Sequence, residues 1–554
     1  MNSNSIFVRS DYKEYNPCGL SVFEYLKRNA EKYSDLCALR FFGIEFSFEE
    51  LFENIDITER ALLAAGVSKN DIVALSLPSI PEGVFLLYAI NKVGARYCAF
   101  DCRSQEKEIL EMVEKFDPKL CIVPDFQLKT FKNVKDREIV VVNPTHSIGG
   151  VTKVTSAFAD FFTGRTVIYA RQKNTITYER FLKRGSCVES GEPQRAEDNI
   201  FGYFYTSGTT YGRKSIVLTN ENINASVYQS GNNEKEVAVG DVMLNIMPMF
   251  TCYGVTNATH LPLSLGVQVD LIPLVNPKRF KKLVLKEKPN YIMTVPAHWE
   301  YFANGKFKNC DLSFLKAVVV GGDKLDPTYE SNINRIFSEC GSKAYLRAGY
   351  GLSETTSIGV TASSTTPKGS VGKAMISTLV GVFDPETMDE CEAYKKGEIC
   401  FFGPSICQGY YEEEEMTARL LRLHDDGRVW LHTGDAGYMD EDGNLFFCER
   451  IKRMYVRYDG TKISPYSIEQ ILQNCDAILR CMVVPVRDKD HSHGMCAKAI
   501  VVKKGERSER EARRIIDKYI RENMGEHMIP KEIVFVERLP YTKNGKLDYF
   551  AAQK

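Results

Sequence analysis

The sequence predicts an α/β protein, with a large amino-terminal domain of mixed, largely parallel sheets covered by helices and a small, mobile α+β carboxy-terminal domain. Three observations carry this expectation. At 554 residues the chain exceeds the size at which a single core keeps growing, so two or more domains are expected. Helical patterns alternate with short β-branched runs through most of the length, the texture of parallel strands covered by helices. Beyond Arg450 the texture changes to a unit of about 100 residues, an ordinary domain size. The boundary is therefore placed between residues 1–450 and 451–554.

In chain order, "SVFEYLKRNAEKY" is an amphipathic helix, "DIVALSL" a strand, "PEGVFLLYAINKVG" a helix and "KLCIVPDF" a strand. The polar segment from about Thr145 to Asp198 resists parsing and reads as an insertion. "IFGYFY" and "SIVLT" are strands flanking a glycine- and hydroxyl-rich loop, and a helix begins after Thr219 or Asn220. Four apolar runs come next, "VMLNIMP", "QVDLIPL", "YIMTVPA" and "KAVVVGG", each running into glycine or proline as fits buried parallel strands. Ligands in such folds collect beyond the carboxyl ends of the strands. After the loop "VRYDGTKISP" come a helix, two strands, the long helix "SEREARRIIDKYIRENM" and a last strand, "EIVFVERL".

Composition excludes several classes. Basic and acidic residues nearly cancel, 71 against 72, so no overall field draws nucleic acid or an anionic membrane. The basic runs "PKRFKKLVLKEKP" and "KKGERSEREARR" read as solvated helix faces, since acids and apolar residues interrupt them. No apolar run approaches the ~18 residues of a transmembrane segment, and the first residues lack the pattern of a secretory signal, so a cytoplasmic protein is expected. The 16 cysteines form no C-x-x-C pair and read as reduced structural thiols. His491 and His493 lack a third ligand nearby, so the eight histidines make no metal set.

The stretch "YTSGTTYGRKS" nearly spells a nucleotide-binding P-loop, but Arg213 stands where its second glycine belongs. The residues after Lys214 are strand-like rather than helical, so the loop joins two strands and cannot use a helix dipole. It must hold phosphate with backbone amides, the hydroxyls of Thr206, Ser207, Thr209 and Thr210, and the Lys214 charge.

This stretch resembles the signature Y-T-S-G-T-T-G-x-P-K of the adenylate-forming (ANL) superfamily: acyl-CoA synthetases, nonribosomal peptide synthetase adenylation domains and beetle luciferases. Tyr211 and Arg213 depart from it, whereas Gly208, the hydroxyls and Lys214 are kept. Further segments occur in family order. "AGYGLSETT" resembles G-Y-G-x-T-E, which implies that Tyr350 and Gly351 border adenine, that Ser353 supplies the usual hydroxyl and that Glu354 takes magnesium. Gly321 and Gly322 of "VVVGGDKL" resemble the edge of the adenine pocket. In "WLHTGDAGY", Asp435 resembles the carboxylate that holds both ribose hydroxyls, and Arg450 a second ribose contact. Lys452 matches the interdomain hinge. "LPYTKNGKLDY" resembles the P-x-T-x-x-G-K terminus and makes Lys546 the catalytic lysine, an ammonium able to bridge a carboxylate and the α-phosphate. The motifs span Tyr205 to Lys546.

The resemblance implies two half-reactions. A carboxylate attacks the α-phosphorus of ATP with Mg2+, Thr206, Glu354 and Lys546 stabilising charge; the small domain then turns about Lys452 and brings Gly460 beside a thiol tunnel, where coenzyme A takes the acyl group. Amino-acid-activating members of the superfamily place an aspartate after the phenylalanine that Phe250 resembles, where this chain has Thr251, so the resemblance implies an apolar fatty or aromatic acid rather than an amino acid, its pocket drawn from Met249, Phe250, Tyr253 and Gly349. An acyl carrier protein's pantetheine is the alternative acceptor. A nucleotide-binding regulatory protein with impaired catalysis is the alternative of another class, prompted by Tyr211, Arg213 and Asn220.

Overall fold

Short apolar runs that end in glycine or proline become central strands here, because each is buried on both faces. The computed structural model describes residues 12–144, 147, 174–195, 198–205, 214–233, 236–273, 275–303, 307, 310–323, 325, 327–453, 455–459, 461–491, 494–542 and 546–553. The predicted strands appear as Ile72–Leu75, Leu120–Pro124, Val242–Asn245, Gln268–Leu271, Tyr291–Thr294 and Ala317–Val320.

Two large sheets carry most of the chain. In the eight-stranded sheet, Ile72–Leu75, Arg96–Ala99, Leu120–Pro124, Glu138–Val142, Thr175–Thr177 and Ile200–Tyr205 pair in parallel. Ile200–Tyr205 then turns back antiparallel onto Ser215–Thr219, so the hydroxyl-rich loop does join two strands, with Tyr205 opposite Ser215. The nine-stranded sheet runs Leu346–Tyr350, Ala317–Val320, Tyr291–Thr294, Val242–Asn245, Gln268–Leu271 and Cys37–Phe41 as a parallel series with antiparallel edges. Helices seal these sheets. Val22–Ala30 starts at a Ser21–Glu24 capping box, and the wholly buried Pro81–Val93 starts on proline and stops at Gly94, whose φ of +78° ends the helix.

One expectation is corrected. The end of the 145–198 segment is no insertion: Thr175–Thr177 closes the edge of the eight-stranded sheet, and Tyr178–Arg184 buries Tyr178 and Phe181 in the main core. Polar threonines hid this strand, since an edge strand needs no apolar run.

Further along the chain stands a five-stranded antiparallel sheet, with Gly397–Phe402, Val429–Met439 and Leu445–Arg450 side by side. After it the chain builds separate small sheets, Tyr455–Val456 with Lys462–Ile463 and Ile478–Arg487 with Met495–Lys503 and Glu532–Val536, around a core of their own. Both basic runs lie on helices that bury only apolar residues, Phe280 and Val284 in one and Ala512, Ile516 and Ile520 in the other. The cysteines are free and mostly buried, with Cys187 exposed. Among the described residues no helix is long and apolar enough to cross a membrane.

Candidate active site

Parallel pairing of Ala317–Val320 with Leu346–Tyr350 brings two glycine turns to one sheet end. A Cβ on Gly321 would stand 3.1 Å from the Gly349 carbonyl, and one on Gly351 would meet the Ser357 carbonyl at 1.9 Å. Gly351 therefore admits no side chain, and the chain folds tightly into the one-turn helix Ser353–Thr355 that carries Glu354. Gly351→Ala is expected to displace this turn and destabilise the protein by about 1–3 kcal/mol, the usual range for overpacking, read from urea unfolding midpoints.

Around that turn the predicted residues meet. Tyr410 donates its hydroxyl to Glu354 Oε1 at 2.8 Å, and the Lys214 ammonium lies 4.5 Å from the centre of the Tyr410 ring. Tyr350 donates to Asp435 Oδ2 at 2.8 Å. Asp435 and Arg450 sit directly opposite each other on neighbouring strands, with Arg450 Nε 2.8 Å from Asp435 Oδ1. That contact is an ion pair without hydrogen-bond alignment, because Oδ1 receives no hydrogen bond. A buried carboxylate with an unused acceptor is suited to a ligand's hydroxyls. Burial pushes the Asp435 carboxyl up to about 6, although Arg450 and the Tyr350 hydroxyl pull it down.

Lys546 enters from the terminal segment. Its Cε lies within 3.8 Å of where a Gly322 side chain would start, Gly322 having a φ of +83°. The neighbouring Leu547 N–H donates to Asp323 at 2.8 Å. Burial and the nearby Arg450 charge lower the Lys546 ammonium from its ordinary value, while Asp323, Glu354 and Asp435 oppose the shift. Lys214, Arg450 and Lys546 thus converge with Glu354 and Asp435, a cleft whose cations fit an anionic ligand.

The small sheets are held over this cleft by contacts invisible to motif reading. Glu300 forms an ion pair with Arg480 and accepts from the Tyr541 hydroxyl at 2.5 Å, and Arg538 sits over the rings of Tyr301 and Tyr541 at 4.4 and 4.9 Å. Lys452 falls in the turn Ile451–Arg453, between Arg450 of the five-stranded sheet and Arg453, which donates to Glu469. Of the other expected residues, Thr206, Ser207, Gly208, Thr209, Thr210, Tyr211, Arg213, Gly460 and His493 lie outside the described residues.

In the expected acyl region, Thr251 caps the helix Cys252–Val255, its hydroxyl accepting from Gly254 N–H at 3.0 Å. Cys252 meets the Ser353 hydroxyl, which joins this segment to the Glu354 turn. Met249 is packed in the main core and accepts from Tyr97 through its carbonyl. Phe250 packs there as well, while Tyr253 is half-buried against a second core that includes Met247 and Met293. Space above Gly349 is closed by Val319 and Ile358.

Among the described residues, one histidine-bearing group has donor atoms close enough to bear on the expectation that the histidines make no metal set. Glu398, Cys400 and His432 bring donor atoms within 4.8 Å of one another, all buried. Both Glu398 oxygens and both His432 nitrogens are engaged in hydrogen bonds, so the trio is a satisfied network. His491 instead pairs with Asp488 and stacks on Tyr458.

The chain is 27% identical to a long-chain-fatty-acid–CoA ligase of Bacillus subtilis (strain 168), over 94% of this chain and 92% of that protein. It is 26% identical to 4-coumarate–CoA ligase-like 9 of Oryza sativa subsp. japonica, over 96% and 92%. The fold is similar to ATP-bound MatB from Rhodopseudomonas palustris, with a TM-score of 0.79, 20% identity and coverage of 96% and 98%. The AMP-binding enzyme C-terminal domain profile matches residues 467–546, the stretch that ends on Lys546. The AMP-binding enzyme profile itself matches residues 26–411, well over half of the chain, and the chain belongs to that family.

Proposed function

We propose that this protein is an AMP-forming carboxylic acid–CoA ligase, which joins an apolar acid to MgATP as an acyl-adenylate and passes the acyl group to coenzyme A. The observation that carries the reading is Lys546 seated at Gly322, in one cleft with the Asp435–Arg450 pair and Glu354. Asp435 would accept from the ribose hydroxyls, Tyr350 and the glycine turns would border adenine, and Lys214 would face the phosphates. Lys546 would bring carboxylate and α-phosphate together, offsetting the repulsion of two anions. Tyr410 anchors one oxygen of Glu354, a side chain of the oxygen chemistry that magnesium takes. Glu354 would hold that ion, which when bound neutralises phosphate charge. The hydroxyl loop 206–210 belongs to the same reading.

Residues 1–450 and 451–554 act as the two domains, with Lys452 as hinge and Gly460 arriving with its loop for the thiol step. The relatives' names as fatty-acid and coumarate CoA ligases favour an apolar or aromatic acid. Turning the small domain must break the Glu300–Arg480 pair, whose side chains are 15% and 18% exposed. Such a pair stands between a surface and a buried bridge, on the order of 1.4 kcal/mol or about tenfold. Glu300→Ala is expected to slow adenylate formation by that factor and to leave thiolysis of supplied acyl-adenylate unchanged, measured as separate half-reactions.

The reading is tested by pyrophosphate release from MgATP across a panel of fatty, aromatic and small polar carboxylic acids, with and without coenzyme A. Turnover with an apolar acid that depends on coenzyme A supports it. Acid-dependent release indifferent to coenzyme A would instead favour a carrier-protein pantetheine as acceptor, and silence across the panel would contradict the enzyme reading.

A further inference from the structure

Asp435 owes its place to an irregularity in the five-stranded sheet. Glu398 is opposite Ala436 and Cys400 is opposite His432, so Ile399 alone faces Thr433, Gly434 and Asp435. Such a bulge needs its spare backbone groups satisfied. Thr433 Oγ1 donates to the Ile399 carbonyl at 2.6 Å and accepts from Asp435 N–H at 3.0 Å. The Gly434 N–H, on a residue with φ of +70°, donates to Glu398 Oε1 at 2.8 Å.

Glu398 is itself fixed from behind. Its Oε2 lies 2.9 Å from His432 Nδ1, and His432 Nε2 lies 2.9 Å from His424 Nε2. A carboxylate can only accept, so His432 donates from Nδ1 to Glu398, and one proton lies between its Nε2 and that of His424. All three side chains are buried, and the His424 ring stands edge-on to Phe383 at 4.6 Å. Burial opposes ionisation of Glu398, but the hydrogen bonds from His432 and Gly434 outweigh it and hold the carboxyl below its ordinary value.

We propose that Glu398, backed by His432 and His424, is a positioning residue for nucleotide binding that fixes the Thr433–Asp435 bulge so that Asp435 meets the ribose hydroxyls. This rests on Asp435 being the ribose-holding group. Glu398→Gln keeps the volume but leaves one acceptor oxygen for two donors, so with that oxygen on His432 Nδ1–H an amide N–H faces the Gly434 N–H and loosens the bulge.

The test is calorimetric binding of MgATP and of its 2′,3′-dideoxy analogue to the full-length protein. The wild type should prefer MgATP, and Glu398→Gln should weaken MgATP binding about tenfold, the scale of a lost charge-assisted hydrogen bond, while leaving the dideoxy analogue within twofold. His424→Phe, which keeps the packing on Phe383, should move the same way by about threefold and serves if the glutamine variant fails to fold. Equal losses for both nucleotides, or unchanged discrimination in a folded variant, would overturn the proposal while leaving the Asp435 reading intact. A wild type indifferent to the two ribose hydroxyls would overturn the Asp435 reading and the proposal with it.

Discussion

Lys546→Ala is expected to lower acid-dependent ATP–pyrophosphate exchange by on the order of 10²–10³, the scale at which a positioned charge-stabilising group acts in a transition state. Lys546 can do this work because its segment is docked, with Leu547 N–H on Asp323 and the Lys546 side chain against Gly322. Once the adenylate exists no second anion remains to be brought in, so thiolysis of supplied acyl-adenylate should change by less than about twofold, within the scatter of variants that touch no transition-state contact. Equal loss in both half-reactions would point to misfolding rather than to charge stabilisation. Lys546→Arg keeps the charge but not the compact ammonium, and it should recover little exchange.

Asp435→Asn is expected to raise the apparent KM for ATP by about 10–100-fold, the value of one or two hydrogen bonds to a charged group, with the KM for the acid unchanged. The wild type should also show a pH dependence that the asparagine variant lacks. With its carboxyl pushed up to about 6 by burial, Asp435 is increasingly protonated below that pH, and a protonated oxygen is a poorer acceptor. Affinity for ATP should therefore fall as pH drops through about 6. Stability runs the other way. The folded value lies above the ordinary carboxyl value of about 4, so the contribution of the neutral form is complete below about 4 and is lost as pH rises through about 6. Nucleotide titrations between pH 5 and pH 8, paired with thermal unfolding of the free protein, check both signs.

Much of the large body was legible in the chain because its strands are buried on both faces, which forces continuous apolar runs such as "KAVVVGG" that end at glycine. That the hydroxyl loop joins two strands was equally legible, since "SIVLT" has the β-branched content of a strand. Asp435 and Arg450 could each be picked out by motif, but their cross-strand opposition depends on register, which a bulge shifts within the same pair of strands. The Glu398–His432–His424 network and the Glu300–Arg480–Tyr541 contacts escaped for a related reason. Most of their members are far apart in sequence, and only tertiary packing brings them together. Thr175–Thr177 was missed because an edge strand of threonines carries no apolar signature. Met249 shows the converse: a sulfur-bearing apolar side chain fits a substrate pocket or a core equally well, and its burial against Gly83 is decided by the fold.

The central claim is that a carboxylate attacks the α-phosphorus of ATP in the cleft of Asp435, Glu354 and Lys546. The measurement that tests it most directly traces oxygen: the acid with the highest turnover in the panel is supplied with 18O in its carboxylate, together with MgATP and coenzyme A, and the products are read by mass spectrometry. Attack on the α-phosphorus and then thiolysis at the acyl carbon leaves one carboxylate oxygen on AMP, so singly labelled AMP with unlabelled pyrophosphate is the predicted result. Label in inorganic phosphate alongside ADP, or AMP formed without label, would contradict the account.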